Sequence, residues 1–183
     1  MAILLVILAI ILILVVYAIS TYNSLVGLRN KVNDQWSQID VELKRRFDLI
    51  PNLVSTVKGY AKHEKGTLEE VIKARNSYLT SGTKEQAVKA DDELTGAISR
   101  LLVTVEKYPE LKADKNFADL QHQLKETEDK ISFARKFYND TALMLNNKID
   151  MFPSSIIANM FKFTKVEFFK ANEEAKENVK VEF

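Results

Sequence analysis

The chain has 183 residues, 46% of them hydrophobic and 28% charged, with 26 Lys and Arg against 25 Asp and Glu. The near-neutral, mixed-sign balance argues against nucleic acid as a partner, because phosphate binding asks for a basic face; the lack of cysteine excludes disulfides, lipoprotein attachment and cysteine-held metals. The average also hides a division: Ala2 to Ile19 are all apolar or aromatic and no charge precedes Arg29, which excludes both a simple soluble protein and a multi-pass transporter.

The first element is a membrane anchor over residues 1–22. Eighteen residues at a 1.5 Å rise span roughly 27 Å, close to the hydrocarbon thickness. Fourteen of the eighteen are Ile, Leu or Val, so insertion is favoured by roughly 4 to 8 kcal/mol as an upper figure. Ile3, Leu4, Ile7, Leu8, Ile11, Leu14 and Val15 are expected in lipid, with Tyr17 and Tyr22 at the interface. A cleaved signal peptide is the rival reading, with Ala18-Ile19-Ser20 as a loose cleavage site. The run is longer than a typical signal core and no basic residue precedes it, which favours a retained anchor. Arg29 and Lys31 are the cations nearest the membrane end, and the positive-inside rule then puts the domain in the cytoplasm; the opposite sidedness is the alternative.

The domain, residues 23–162, is expected to be a helical bundle, since five Gly and three Pro are few for a turn-rich protein. Leu25, Leu28, Val32, Trp36, Ile39, Leu43, Phe47, Ile50 and Val54 form a stripe repeating every 11 residues, which favours straight or slightly right-handed packing. One helix is therefore expected from the membrane to about His63, kinked at Pro51 with the stripe in phase across it. Gly66 is expected to end it. Thr67 and Glu70 have capping-box spacing for a second helix to Leu79. Ser81-Gly82-Thr83 reads as a turn and Lys84 to Lys107 as a third helix, stopped by Pro109. Asn116 to Met151 reads as a fourth, with Phe117, Leu120, Leu124, Thr127, Ile131, Ala134, Tyr138, Thr141, Leu145 and Ile149 inward. Pro153 stops it, a short apolar segment follows, and the tail, residues 163–183, is expected to fray. The fold class is all-α: an anchor helix continuous with an antiparallel bundle of three long helices and short ones.

These residues resemble the LemA family of bacteria. The likeness is carried by Tyr22-Asn23-Ser24-Leu25-Val26, Trp36-Ser37-Gln38-Ile39-Asp40-Val41 and Leu43-Lys44-Arg45-Arg46-Phe47-Asp48-Leu49-Ile50-Pro51-Asn52-Leu53-Val54. It continues through Ala74-Arg75, Glu106-Lys107-Tyr108-Pro109, Tyr138-Asn139 and Phe152-Pro153-Ser154. Phe161-Lys162-Phe163 stands where the family commonly has Phe-Gly-Phe, and Leu145 precedes Asn146 where Tyr is frequent. The resemblance implies a single-pass protein of the bacterial inner membrane with a helical bundle, and carries no enzymatic activity with it.

Three constellations remain. Lys44, Arg45 and Arg46 with Asp40, Glu42 and Asp48 are expected on a solvated face, paired Asp40–Lys44 and Glu42–Arg46 at i, i+4; the alternative is a contact between copies. His63 and His122 lack the spacing of a zinc helix, and Glu126, Glu128 and Asp129 lack the Glu-x-x-His pairs of a di-iron bundle, so no metal or cofactor is expected. Phe152, Ile156, Ile157, Met160, Phe161, Phe163, Phe168 and Phe169 crowd the C-terminal end with Lys162, Lys165 and Lys170. Ile156, Ile157 and Met160 are expected to close the bundle, with docking on lipid or another copy as the alternative. The functional expectation is a non-enzymatic membrane scaffold that self-associates. The alternatives are an adaptor for another membrane protein and, more remotely, a bundle metal protein or enzyme.

Overall fold

A helix of 59 residues, α1 (Ala2–Tyr60), opens the chain. The computed structural model describes residues 1–61 and 63–169. After α1 come α2 (Lys65–Leu79), α3 (Lys84–Val105), the one-turn α4 (Pro109–Lys112), α5 (Lys115–Asp150) and the short α6 (Ser154–Met160). No strand occurs among the described residues. The chain divides into two compact units, one of residues 1–39 with 133–169, the other of 40–132.

The second unit is an up-down-up-down arrangement. Phe47 of α1 stacks on Tyr78 of α2, ring centroids 3.9 Å apart. Glu70 of α2 pairs with Arg100 of α3, and Tyr60 at the end of α1 meets Asp114 at the start of α5. Each long helix therefore runs against its neighbour. The core is Leu43, Phe47, Ile50, Leu53 and Val57 of α1 with Val71, Leu94, Leu101, Phe117, Leu124 and Ile131. Ala74, Ala87, Ala90 and Ala97 are buried on α2 and α3, and these small side chains let the two backbones approach.

The first unit is simpler. Leu25, Val32 and Ile39 of α1 are fully buried and seven residues apart. They face Tyr138, Ala142, Leu145 and Ile149 of α5, with Ile157 and Ala158 of α6 closing the end. Trp36 meets Tyr138 edge to face at 6.3 Å. The apolar run Ala2–Ile19 has no protein against it; the helix is long and apolar enough to cross a membrane, and that window is 0% buried.

Several local expectations change. The 11-residue stripe is present, but Leu28, Trp36 and Val54 are only half-buried. Beyond Pro51 the buried positions Leu53, Val57 and Ala61 continue the helical period from Ile50, so the stripe stays in phase, with Leu53 rather than Val54 the more buried of its pair. Pro51 lies inside an unbroken α1. Gly66 and Thr67 lie within α2, whose N-cap is Glu64 without a side-chain cap bond, so the expected capping box does not form. The real cap is one helix later: Thr83 accepts from the Gln86 amide at the start of α3. Pro109 begins α4 rather than merely ending α3, because proline's missing N–H costs nothing at the first helical position. On α5 the inward stripe holds, with Ala134 alone half-buried.

Candidate functional site

The first site is a buried charge in the second unit. Arg46 is 4% exposed. Its Nη1 lies 2.7 Å from Asp91 Oδ1 of α3 and 2.6 Å from Glu128 Oε2 of α5. Asp91 is also buried, whereas the Glu128 side chain is 45% exposed. One guanidinium thus joins three helices. This corrects both sequence expectations for Arg46: it belongs neither to a solvated face nor to a contact between copies, and it does not pair with Glu42. A guanidinium out of water must be paired to be tolerated, and here the single nitrogen Nη1 meets both carboxylates. Lys44 and Arg45 are exposed. Asp40, expected against Lys44, accepts instead from the Tyr78 hydroxyl at 3.0 Å. Burial first, then this bond to a carboxylate, pushes the Tyr78 phenol up.

Two further contacts in this unit answer backbone needs. The Phe47 carbonyl would ordinarily accept from residue 51, which is proline and has no N–H. Arg75 Nε donates to it at 3.2 Å. Asp114 caps α5, accepting from the Phe117 amide at 2.9 Å and from the Tyr60 hydroxyl at 2.9 Å. Those bonds, the amide first, hold its carboxyl below the usual range. His63 and His122 are exposed, and among the described residues no group of three or more His, Asp or Glu is placed to hold a metal.

The second site lies in the first unit, where residues 161–169 form a strap rather than a frayed end. Asn146 Nδ2 donates to the Val166 carbonyl at 2.9 Å and its Oδ1 accepts from the Val166 amide at 3.0 Å. Asn139 repeats the arrangement on Phe169, at 3.0 and 2.8 Å. A primary amide offers the same donor and acceptor as a peptide group, so each asparagine pairs with the strap as a neighbouring strand would. Seven helical residues span about 10.5 Å and three extended residues about 10 Å, so the two clamps are in register. Lys165 pairs with Asp150 at 2.9 Å.

The strap carries the aromatic residues inward. Phe169 stacks on Trp36 at 5.6 Å, meets Tyr138 at 5.0 Å and lies under the Arg135 guanidinium at 5.2 Å. Phe163 meets Tyr22 at 6.0 Å and Arg29 at 5.3 Å. Phe161 lies 4.6 Å from Tyr22. The expected cap of the bundle is therefore divided. Ile157 is buried, while Ile156, Met160 and Phe161 are exposed, together with Met151 and Phe152 of the preceding turn and Phe168 of the strap. Residues 170–183, including Lys170 and the charged part of the tail, lie outside the described residues.

What the fold and contacts of the described residues define is an all-α protein with one long apolar N-terminal helix, a helical bundle and a clamped C-terminal strap. The sequence profile of the LemA family matches residues 35–183, and the chain belongs to that family. It is 26% identical over 152 residues to Protein LemA of Metamycoplasma hominis, covering 82% of this chain and 69% of that one. It is 25% identical over 175 residues to magnetosome protein MamQ 2 of Paramagnetospirillum magneticum and over 174 to magnetosome protein MamQ of Magnetospirillum gryphiswaldense. Each of these covers 81% of this chain, and the match spans 64% of each relative's own length. The chain is a helical protein of this family, with one N-terminal helix long and apolar enough to cross a membrane.

Proposed function

We propose that this protein is a non-enzymatic, membrane-anchored scaffold whose copies associate laterally, with its helical units on the cytoplasmic side of a bacterial inner membrane. One observation supports self-association best. On the outer side of α5, Phe133, Phe137 and Met144 are 65%, 58% and 56% exposed. They step by four and by seven residues, which keeps them on one helical face, and Leu143 lies beside them, also exposed. A ridge of large apolar groups facing water is costly and is covered when copies meet. Anchoring by α1 confines copies to two dimensions and raises their effective concentration, so a modest contact suffices. The sidedness rests on Arg29 and Lys31.

The chain has no cysteine, which makes single-cysteine cross-linking unambiguous. Phe137→Cys in native membranes is expected to give a homodimer with a short bifunctional maleimide, and Phe137→Glu to reduce the mass of the full-length complex in mild detergent. A wild-type complex of monomer mass, with no cross-link at position 137, refutes the scaffold. Cross-linking at 137 to a different membrane protein and never to itself supports the adaptor reading instead.

A further inference from the structure

The exposed apolar residues at the end of the first unit have a specific relation to the anchor. The apolar run ends at Ile19. Tyr22 is three residues further, about 4.5 Å along the helix, within the headgroup layer of roughly 5–7 Å that flanks the hydrocarbon on each side. Phe161 is 4.6 Å from the Tyr22 ring, so the end of α6 lies at the depth of that layer once α1 is inserted. The side of this end turned away from the core carries Phe152, 81% exposed, with Met151, Ile156, Met160 and Phe161.

The termination of α6 adds a cation. The Phe163 amide donates to the Ala158 carbonyl at 2.9 Å and the Lys162 amide to the Asn159 carbonyl at 3.1 Å. This is a Schellman ending, which needs a left-handed residue between Phe161 and Phe163. Lys162 supplies it with φ 56°, a conformation that glycine adopts without strain and lysine does not. The result is an ammonium between two phenylalanines, with Arg29 against the second of them. Large apolar side chains interleaved with cations suit the boundary between acyl chains and anionic headgroups.

We propose that Met151, Phe152, Ile156, Met160 and Phe161 form a foot that enters the lipid interface beside α1, with Lys162 against anionic headgroups. The protein then holds its membrane at two points, and the foot fixes the tilt and rotation of the first unit on the bilayer. This rests on α1 spanning the membrane and is independent of self-association.

The test uses the full chain in vesicles of phosphatidylcholine, alone or mixed with phosphatidylglycerol. Single cysteines at Phe152, Ile156, Leu8 or Lys136 carry an environment-sensitive fluorophore. Leu8 lies mid-anchor, and Lys136 is exposed on α5 near the level of Trp36, to which Tyr138 packs. Headgroup-region nitroxide lipids are expected to quench the labels at 152 and 156 several-fold more than the label at 136, and more strongly with phosphatidylglycerol. Lys162→Gly, which keeps the helix ending, is expected to abolish that added effect. Quenching at 152 and 156 no greater than at 136, while the Leu8 label reports insertion, overturns the foot. Failure of the Leu8 label to report insertion overturns the anchor and the foot together. Labels at 152 and 156 that respond to protein-to-lipid ratio and not to nitroxide assign the foot to a second copy and overturn it equally. An undiminished phosphatidylglycerol effect in Lys162→Gly overturns the role of Lys162.

Discussion

Arg75 donates from Nε to the carbonyl of Phe47, the group whose helical partner would be the absent N–H of Pro51. The two features explain each other. A proline inside a helix leaves the carbonyl four residues earlier without its bond, and a half-buried acceptor left unpaired costs about 1–3 kcal/mol. A guanidinium from α2 removes that cost and ties α2 to α1 at the same point. Arg75→Met is therefore expected to destabilise the chain by about 1–2 kcal/mol. In a Pro51→Ala background, which restores an N–H to the helix, the same substitution is expected to cost less than half as much. Urea denaturation of the full chain in mild detergent measures all four corners of the cycle; equal costs in both backgrounds would show that Arg75 acts elsewhere.

Arg46 joins α1, α3 and α5 through Asp91 and Glu128. Removing one member of a buried charged group takes a partner from the charges that stay desolvated, at about 3–5 kcal/mol. Arg46→Met is expected to cost up to that much, because buried Asp91 loses its contact with the guanidinium. Glu128→Gln is expected to cost less than Arg46→Met: the Oε2 that faces Arg46 is buried, but the rest of the side chain is 45% exposed and an amide oxygen can still accept from the guanidinium. Arg46→Met with Asp91→Leu is expected to recover most of the loss. The same denaturation measurement checks the order. A double variant as unstable as Arg46→Met would show that the pair contributes net stability of its own.

The two asparagine clamps make a separate prediction about the strap. Asn146→Asp keeps the acceptor for the Val166 amide but, when ionised, loses the donor for its carbonyl. The strap is expected to weaken by about 1–2 kcal/mol at neutral pH and to recover partly when the new carboxyl is protonated and can donate again. Amide hydrogen exchange at Val166 and Phe169 reads this directly. Faster exchange at Val166, with the helix α5 unchanged, is the expected outcome; unchanged exchange would mean that the ring contacts of Phe163 and Phe169 hold the strap without the amides.

How much of this was legible follows from the range of each interaction. The anchor is a run of consecutive residues, and α5 is a periodic stripe, so both can be read locally; every expected inward position from Phe117 to Ile149 is buried except the half-buried Ala134. Arg46 is not legible locally because its neighbours in sequence, Glu42 and Asp48, offer a local pairing, whereas its actual carboxylates come from two other helices. Pro51 in the sequence points to a kink of the helix axis, while the consequence the structure shows is chemical, an acceptor answered by Arg75. Asn139 and Asn146 were visible only as members of a motif. Their spacing of seven residues beside a buried stripe is the signal that could have marked them, but nothing in one sequence says that an extended segment lies opposite. The apolar end divides for the same reason: Ile157 turns inward while Ile156 and Met160, expected beside it, are exposed, and nothing local in the sequence separates them.

Asp114 gives the acid behaviour a specific origin. It caps α5 and accepts from Tyr60, and these bonds to the charged form lower its pKa. A carboxyl whose folded pKa lies below its unfolded value binds fewer protons in the native state. Its contribution to stability is therefore fully present above the unfolded value, near 3.8, and is lost as pH falls through the lower folded value. The chain is expected to lose stability on acidification below about pH 4, and Asp114→Asn is expected to flatten that limb, since asparagine caps a helix at any pH. Thermal unfolding of both forms in detergent between neutral and acid pH checks the difference. Parallel curves for the two proteins would remove Asp114 as the origin and leave other carboxylates, Glu126 beside Lys130 among them, to account for the slope.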